Sequence, residues 1–297
     1  MSSSDQHNPE YRLGMGLALF AYIWWGFAPI FWHQLYHVDA LHAVINRMLW
    51  SGPTLLLVVL LAGQWPVIRR AALQPKILAM LLLSGLVVTF NWGVYVWGVL
   101  QGNIKEVSLG YYLLPLFNVL MGFVAFKERP NPAQWLAISI ASIGIIVMLA
   151  KQGVFPWLAI AIAVSFCIYG ALRKITPVDA TAGNTLESLL LVPLAIGWML
   201  INHSTASLGQ FDTRTDIFLV LSGAFTVIPL ISYIAAAQRV TLTSMSLIFY
   251  IGPSMQMLLA LFMYGESISA DEWIAFACIA IALVIHTVDL LRKLRSK

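Results

Sequence analysis

SLGYYLLPLFNVLMGFVAFKERPNPAQW, residues 108–135, returns 138 positions later as SLIFYIGPSMQMLLALFMYGESISADEW, residues 246–273. Tyr112, Pro115, Glu128 and Trp135 fall on Tyr250, Pro253, Glu266 and Trp273 without a gap. Isolated matches come easily in apolar sequence. Agreement of Pro, Glu and Trp in one register does not. At the same shift Gly85 falls on Gly223, Tyr95 on Tyr233 and Asn118 on Gln256. Further upstream the shift widens to 140, pairing Pro53 with Pro193 and Arg47 with Glu187, and then to 144, pairing Trp25-Gly26 with Tyr169-Gly170. The chain therefore reads as an internal duplication, a feature that governs every later assignment.

Each copy is made of apolar runs. Hydrophobic residues are 60% of the 297 and charged residues 10%, against about 45–50% and about 25% in ordinary soluble chains. Mean hydropathy is +0.83. Too little polar surface remains to clothe a water-soluble particle, which excludes a cytosolic enzyme, a secreted domain and a nucleic-acid-binding module. Ten runs approach the ~20 apolar residues needed to cross a ~30 Å hydrocarbon core. They are 13–33, 41–62, 77–99, 104–126, 133–150, 155–173, 184–202, 216–238, 243–264 and 271–290. The expected fold is an all-α integral membrane protein with ten transmembrane helices in two inverted five-helix repeats. Residues 1–12 form a cytoplasmic tail, 13–150 the first repeat, 155–290 the second and 291–297 a basic tail. An odd number of spans per repeat makes the second copy enter the bilayer from the opposite side. The first run exceeds a signal-peptide core of roughly 7–15 residues and no small-residue cleavage site follows it, so it reads as a retained helix. Cys167 and Cys278 lie inside apolar runs and read as small buried hydrophobes.

The net charge of +4 and an isoelectric point near 9.1 follow from topology. With the N-terminus in the cytoplasm, that side holds Arg12, Arg69, Arg70, Lys76, Lys127, Arg129, Arg173, Lys174, Arg239, Arg292, Lys293, Arg295 and Lys297. The outer side holds Lys105, Lys151 and Arg214. Thirteen against three is a strong positive-inside bias, and both termini are expected in the cytoplasm.

The remaining basic residue, Arg47, lies within the second span. An ionisable group there costs at least ~2.5–3.5 kcal/mol on insertion scales and calls for a reason. Arg47 is expected to face a central cavity and recognise an anionic group. Glu187, its repeat mate, is expected to meet a cation, an amine or a proton. Snorkelling or a fixed tie to backbone is the alternative for both. Asn91, Asn118, Gln256, Tyr95, Tyr112 and Tyr250 are the neutral cavity candidates, with interhelical hydrogen bonds as their alternative. Glu128 and Glu266 end the fourth and ninth spans. They are candidates for gating, or for ending a helix and ordering the next turn. Pro115 and Pro253 are matched sites for kinks. His33, His37 and His42 cluster beside Asp39 in the first outer loop, yet without the Glu of a metal-hydrolase motif or a second cluster, and no metal site is expected. No nucleotide loop, nucleophile elbow or CxxC motif is present, so neither an ATP-driven pump nor an intramembrane hydrolase is supported, and no cofactor is expected.

These residues resemble a known group. Trp25-Gly26 in the first helix and Glu128 ending the fourth are similar to the EamA type of the drug/metabolite transporter superfamily. Arg47-Met48-Leu49-Trp50-Ser51, Asn91-Trp92, Ser108-Leu109-Gly110-Tyr111-Tyr112 with Pro115 and Asn118, Glu187, Pro229-Leu230, Tyr250-Ile251-Gly252-Pro253 and Glu266 resemble its RarD branch. Several superfamily members carry a Lys late in the first helix, where this chain has His33 nearby. The resemblance implies an inner-membrane secondary transporter, a permease or exporter of small metabolites or drug-like solutes. Its partners would be a small-molecule solute and the lipid bilayer, with proton or ion coupling and a homodimer left open and no nucleic acid. The other reading is a non-transporting membrane scaffold or regulatory protein, which the intramembrane Arg47 and Glu187 disfavour. A channel is disfavoured by the two-half inversion.

Overall fold

The computed structural model describes residues 9–100, 104–152, 157–202, 209, 211–263 and 270–295. Among these residues there are helices and no strand. That is what a hydrocarbon solvent demands, because a helix satisfies its own backbone groups where water cannot. The first apolar run is split into α1 (Pro9–Gly26) and α2 (Ala28–His33). Then come α3 (Ala40–Leu61), the short α4 (Trp65–Ala72), α5 (Pro75–Leu100), α6 (Ile104–Ala125) and α7 (Pro132–Gln152). The second half holds α8 (Trp157–Ile175), α9 (Ala180–Asn202), α10 (Thr213–Ala237), the pair α11 (Leu242–Phe249) and α12 (Ile251–Phe262), and α13 (Ala270–Arg295). Glu266 lies outside the described residues.

Six stretches among the described residues are long and apolar enough to cross a membrane: Pro9–His33, Leu41–Leu61, Pro75–Tyr95, Trp157–Ile175, Ala180–Ile201 and Thr213–Ala237. Shorter apolar stretches run through α6, α7 and α13. Large aliphatic side chains cover the outside, with Leu60 65%, Ile146 61% and Leu200 69% exposed. Such a surface is excluded from water and suits lipid. The protein is a multi-pass membrane protein.

Side chains cap several helices. Asp39 accepts from the Leu41 and His42 amides at the start of α3, and Asp212 from the Thr215 amide at the start of α10. The Thr215 hydrogen bonds hold the Asp212 carboxyl below its ordinary range.

The helices pair in a pattern that survives exchange of the halves. α1 packs on α10, and α8 packs on α5. α3 meets α10 as α5 meets α9, and α6 meets α8 as α11 and α12 meet α1. α3 with α9, α6 with α11 and α7 with α13 join repeat mates directly. The two copies are thus interleaved, and the main core runs through both.

Proline positions explain the helix breaks. Pro29 has no amide proton for the Trp25 carbonyl one turn earlier, and α1 ends at Gly26. Pro253 removes the partner of the Phe249 carbonyl, and the chain breaks between α11 and α12 at Tyr250. Its mate Pro115 sits inside an uninterrupted α6. Identical residues in the two copies therefore give different backbones.

Candidate functional site

A cavity of about 550 Å³ lies between α1, α2, α3, α5, α6, α8, α10, α11 and α12. Its size is within the roughly 300–1,000 Å³ typical of small-molecule sites. The lining is mostly aromatic: Trp25, Trp32, Trp92, Tyr111, Phe166 and Phe225 contribute rings. Tyr36, 79% exposed, stands at the mouth.

Arg47 is the one charged residue among the described lining residues. Its guanidinium carbon stands 3.9 Å from the centre of the Trp92 ring. That places the cation over the ring, a favourable cation–π arrangement. Its Nε has no hydrogen-bond partner among the described residues. Tyr95 and Tyr111, edge-on at 6.0 Å, line the same wall. This is a fixed, partly desolvated cation with donor capacity to spare, facing a space sized for a small solute.

Asn91 and Gln256 also line the cavity, each with a structural engagement. Asn91 Nδ2 donates to the Ile162 carbonyl and to Ser165 Oγ, both at 2.8 Å, tying α5 to α8. Gln256 Nε2 donates at 2.9 Å to the Trp25 carbonyl, the group left without a helical partner by Pro29. Likewise Trp24 Nε1 donates at 3.1 Å to the Phe225 carbonyl, which Pro229 leaves open. At Pro29 and at Pro229 the lost bond is thus replaced by a side chain from the other half. Replacing Gln256 by Leu is expected to cost about 1–3 kcal/mol by leaving a buried carbonyl unsatisfied. Thermal unfolding in detergent checks this, and an unchanged midpoint would remove Gln256 from that role.

Other sequence candidates lie elsewhere. Asn118, Tyr112 and Tyr250 do not line the cavity. Asn118 is 2% exposed inside the bundle. The Tyr250 hydroxyl donates at 3.4 Å to the carbonyl of its repeat mate Tyr112. Pro253 lines the cavity and Pro115 is buried away from it. Glu187 lies beyond the cavity floor, where Ser84 Oγ donates to its Oε2 at 2.6 Å and Arg173 Nε stands 3.7 Å away. Arg173, placed by the sequence in a cytoplasmic loop, is 0% exposed near the end of α8. His37 Nε2 bonds Thr215 Oγ1 at 2.9 Å. Among the described residues no three His, Cys, Asp or Glu side chains stand together as a metal site would require.

The end of the bundle opposite Tyr36 is closed by polar ties between and within the copies. Glu128 accepts from the amides of Leu242 and Thr243 at 2.9 and 3.0 Å, and from Thr243 Oγ1, at the N-terminus of α11. An anion there meets unpaired amides and the positive end of the helix dipole. Lys174 Nζ donates to the Ala237 and Val240 carbonyls where α10 ends. Tyr11 bonds Ser244, and Arg239 pairs with Glu10 at 2.8 Å. Lys127, in the turn before Glu128, takes a φ of 53°, and the Glu128 amide returns to the Gly122 carbonyl. That turn aims the carboxylate across to α11.

A cavity of this size inside a membrane-embedded bundle fits a transporter, and comparison with known proteins decides the matter. The EamA-like transporter family matches the chain twice, over residues 12–150 and 155–288. The chain belongs to that family. It is a membrane transporter of the RarD type, not an enzyme, and its partners are a small-molecule solute and the lipid bilayer. It is 34% identical to Protein RarD of Escherichia coli, over 94% of this chain and 95% of that one. An uncharacterized transporter of Pseudomonas aeruginosa is 35% identical, over 96% of each. The Chloramphenicol-sensitive protein RarD of the same organism is 29% identical, again over 96% of each. A protein solved by crystallography shares the fold, with a TM-score of 0.73 at 18% identity over 93% of this chain and 98% of that one.

Proposed function

We propose that this EamA transporter is a secondary permease or exporter of the inner membrane, moving small metabolites or drug-like solutes by alternating access. In this reading ten spans form two inverted repeats, both termini lie in the cytoplasm, and the Tyr36 mouth faces outward. The single observation that carries the reading is the cavity itself, aromatic-walled with Arg47 fixed against Trp92. Rings and one cation suit a compact solute with an apolar body and an anionic group.

The exchangeable helix pairing supports alternation. Interfaces α1·α10 and α8·α5 are mates, so tightening one while loosening the other interchanges the two ends. In this reading the end at Glu128 and Lys174 is the closed one and the Tyr36 end the open one. The complementary state has the reverse.

The test compares solutes in spent medium from deletion, overexpression and Arg47→Ala strains. A solute that rises on overexpression, falls on deletion and follows the Arg47→Ala strain toward the deletion supports export. Identical medium from all strains would overturn it.

A further inference from the structure

Below the cavity floor is a second, much smaller space of about 20 Å³, lined by Ser51, Trp92, Asn184, Glu187, Ser188 and Thr226 among others. That is room for about one water. Trp92, Thr226 and Leu230 line both spaces, so the small one adjoins the large one. Its lining mixes Met48, Leu191, Val227 and Leu230 with the polar side chains of Ser51, Asn184, Glu187, Ser188 and Thr226. Asn184, 1% exposed, has an Nδ2 with no hydrogen-bond partner among the described residues. A buried donor without a partner is rare and marks a place where water or an ion belongs. Glu187, 2% exposed, sits at the same space.

On its far side Glu187 meets Arg173. Ser84 Oγ donates to Glu187 Oε2 at 2.6 Å, the Tyr169 hydroxyl faces the same carboxyl, and Arg173 Nε is 3.7 Å from Oε2. The guanidinium rests on α9 where Gly183 has no side chain: a Cβ there would stand 2.5 Å from Nη2. Gly183 and Glu187, one helical turn apart, together form the seat for Arg173. None of the three side-chain nitrogens of Arg173 has a hydrogen-bond partner among the described residues. Glu187 is its only anionic partner there.

We propose that Glu187 is the transporter's proton-binding site, reached from the solute cavity through the small polar space. A proton delivered by water in that space adds to a Glu187 carboxylate oxygen, and the carboxyl becomes neutral. No other bond forms or breaks. The ion pair with Arg173 is lost, and a fully buried guanidinium is left without a counter-charge. The response that relieves it is movement of the Arg173 side chain off its seat at Gly183 and Glu187 toward the tied end of the bundle. Protonation from one side thereby favours opening toward the other. This rests on the transport reading only for its consequence, since proton binding itself needs no solute.

The groups that face Glu187 are few. Arg173 and Tyr169 approach from α8, Ser84 from α5, Ser51 from α3 and Thr226 from α10. α4 also packs on α9, with Arg69 and Arg70 exposed. Among these groups Arg173 is the one cation within ion-pair reach of Glu187.

The experiment is infrared difference spectroscopy of the full chain in lipid bilayers, from about pH 8 to about pH 4. The expected result is a protonated-carboxyl band that grows as pH falls, disappears in Glu187→Gln and persists in Glu128→Gln. Arg173→Gln keeps the carboxyl and removes its cation, so the same band should appear at a proton concentration at least about tenfold lower. This second variant decides the matter if Glu187→Gln does not fold. A band unaltered by Glu187→Gln, or a midpoint unmoved in Arg173→Gln, overturns the proposal. The spent-medium comparison reads solute rather than proton, so either proposal can fail with the other intact.

Discussion

Arg47→Ala is expected to reduce transport by at least roughly 30-fold while leaving the amount of folded protein in the membrane unchanged. The side chain is half-buried, and what it faces is the cavity. Losing a charge-assisted contact in a partly desolvated site costs about 2–5 kcal/mol, or roughly 30- to 4,000-fold in affinity. The folded state should hardly notice. Arg47 lies 3.9 Å over Trp92 and has no ion-pair partner among the described residues, so removing it relieves a buried cation while giving up only that stacking. Arg47→Lys separates charge from shape. It keeps the positive charge but loses the planar fork and the flat contact with Trp92, and should fall between wild type and Ala. Uptake or efflux assays normalised to membrane abundance check both. Full activity of the Ala variant would remove Arg47 from recognition, and loss of abundance would make its role structural.

How far the sequence predicts such a site depends on what kind of information a position carries. The repeat register was legible because Pro115/Pro253, Glu128/Glu266 and Trp135/Trp273 keep identical spacing, and the apolar runs are mostly helical over their described residues, with breaks inside the first and the ninth. The breaks at Phe27 and Tyr250 had their signals in Pro29 and Pro253. Yet Pro115 shows that the same residue can sit in a continuous helix, so a proline alone does not decide. Faces were not legible. A helix that is hydrophobic all round has no amphipathic stripe to point inward. Asn118 and Asn91 looked equivalent, and only Asn91 reaches the cavity. Trp92 and Tyr111 belonged to quoted motifs but gave no sign of walling Arg47. Arg173 was missed for a different reason. At the end of an apolar run a basic residue resembles a topology signal, and its burial depends on Gly183 and Glu187 of another helix.

The same limit makes the largest stability prediction a test of geometry. Gly85 and Gly223 are repeat mates, indistinguishable in sequence. A Cβ on Gly223 would lie 2.4 Å from the Trp50 carbonyl carbon, 2.5 Å from its oxygen and 2.7 Å from the Ser51 nitrogen. All three are backbone atoms of α3 and cannot rotate aside. A Cβ on Gly85 would instead meet the Glu187 Cγ at 3.2 Å and Leu191 methyls at 3.3 and 3.4 Å, side-chain atoms that can shift by tenths of an ångström. Alanine gains about 1 kcal/mol of helix propensity over glycine at either position. At Gly85 that gain roughly offsets the crowding, and Gly85→Ala should change the thermal midpoint little. At Gly223 the helices α3 and α10 must move apart, giving up packing along the whole interface. Overpacking alone typically costs about 1–3 kcal/mol, and a backbone clash should exceed that. Gly223→Ala should therefore lose most of its folded protein from the membrane. It should also lose transport in whatever remains, since α3 carries Arg47 and α10 carries Phe225 and Thr226 on the facing wall. Detergent-extracted yield and unfolding midpoint for the two variants settle the point. Equal behaviour of Gly85→Ala and Gly223→Ala would show that α3 and α10 do not approach as closely as described.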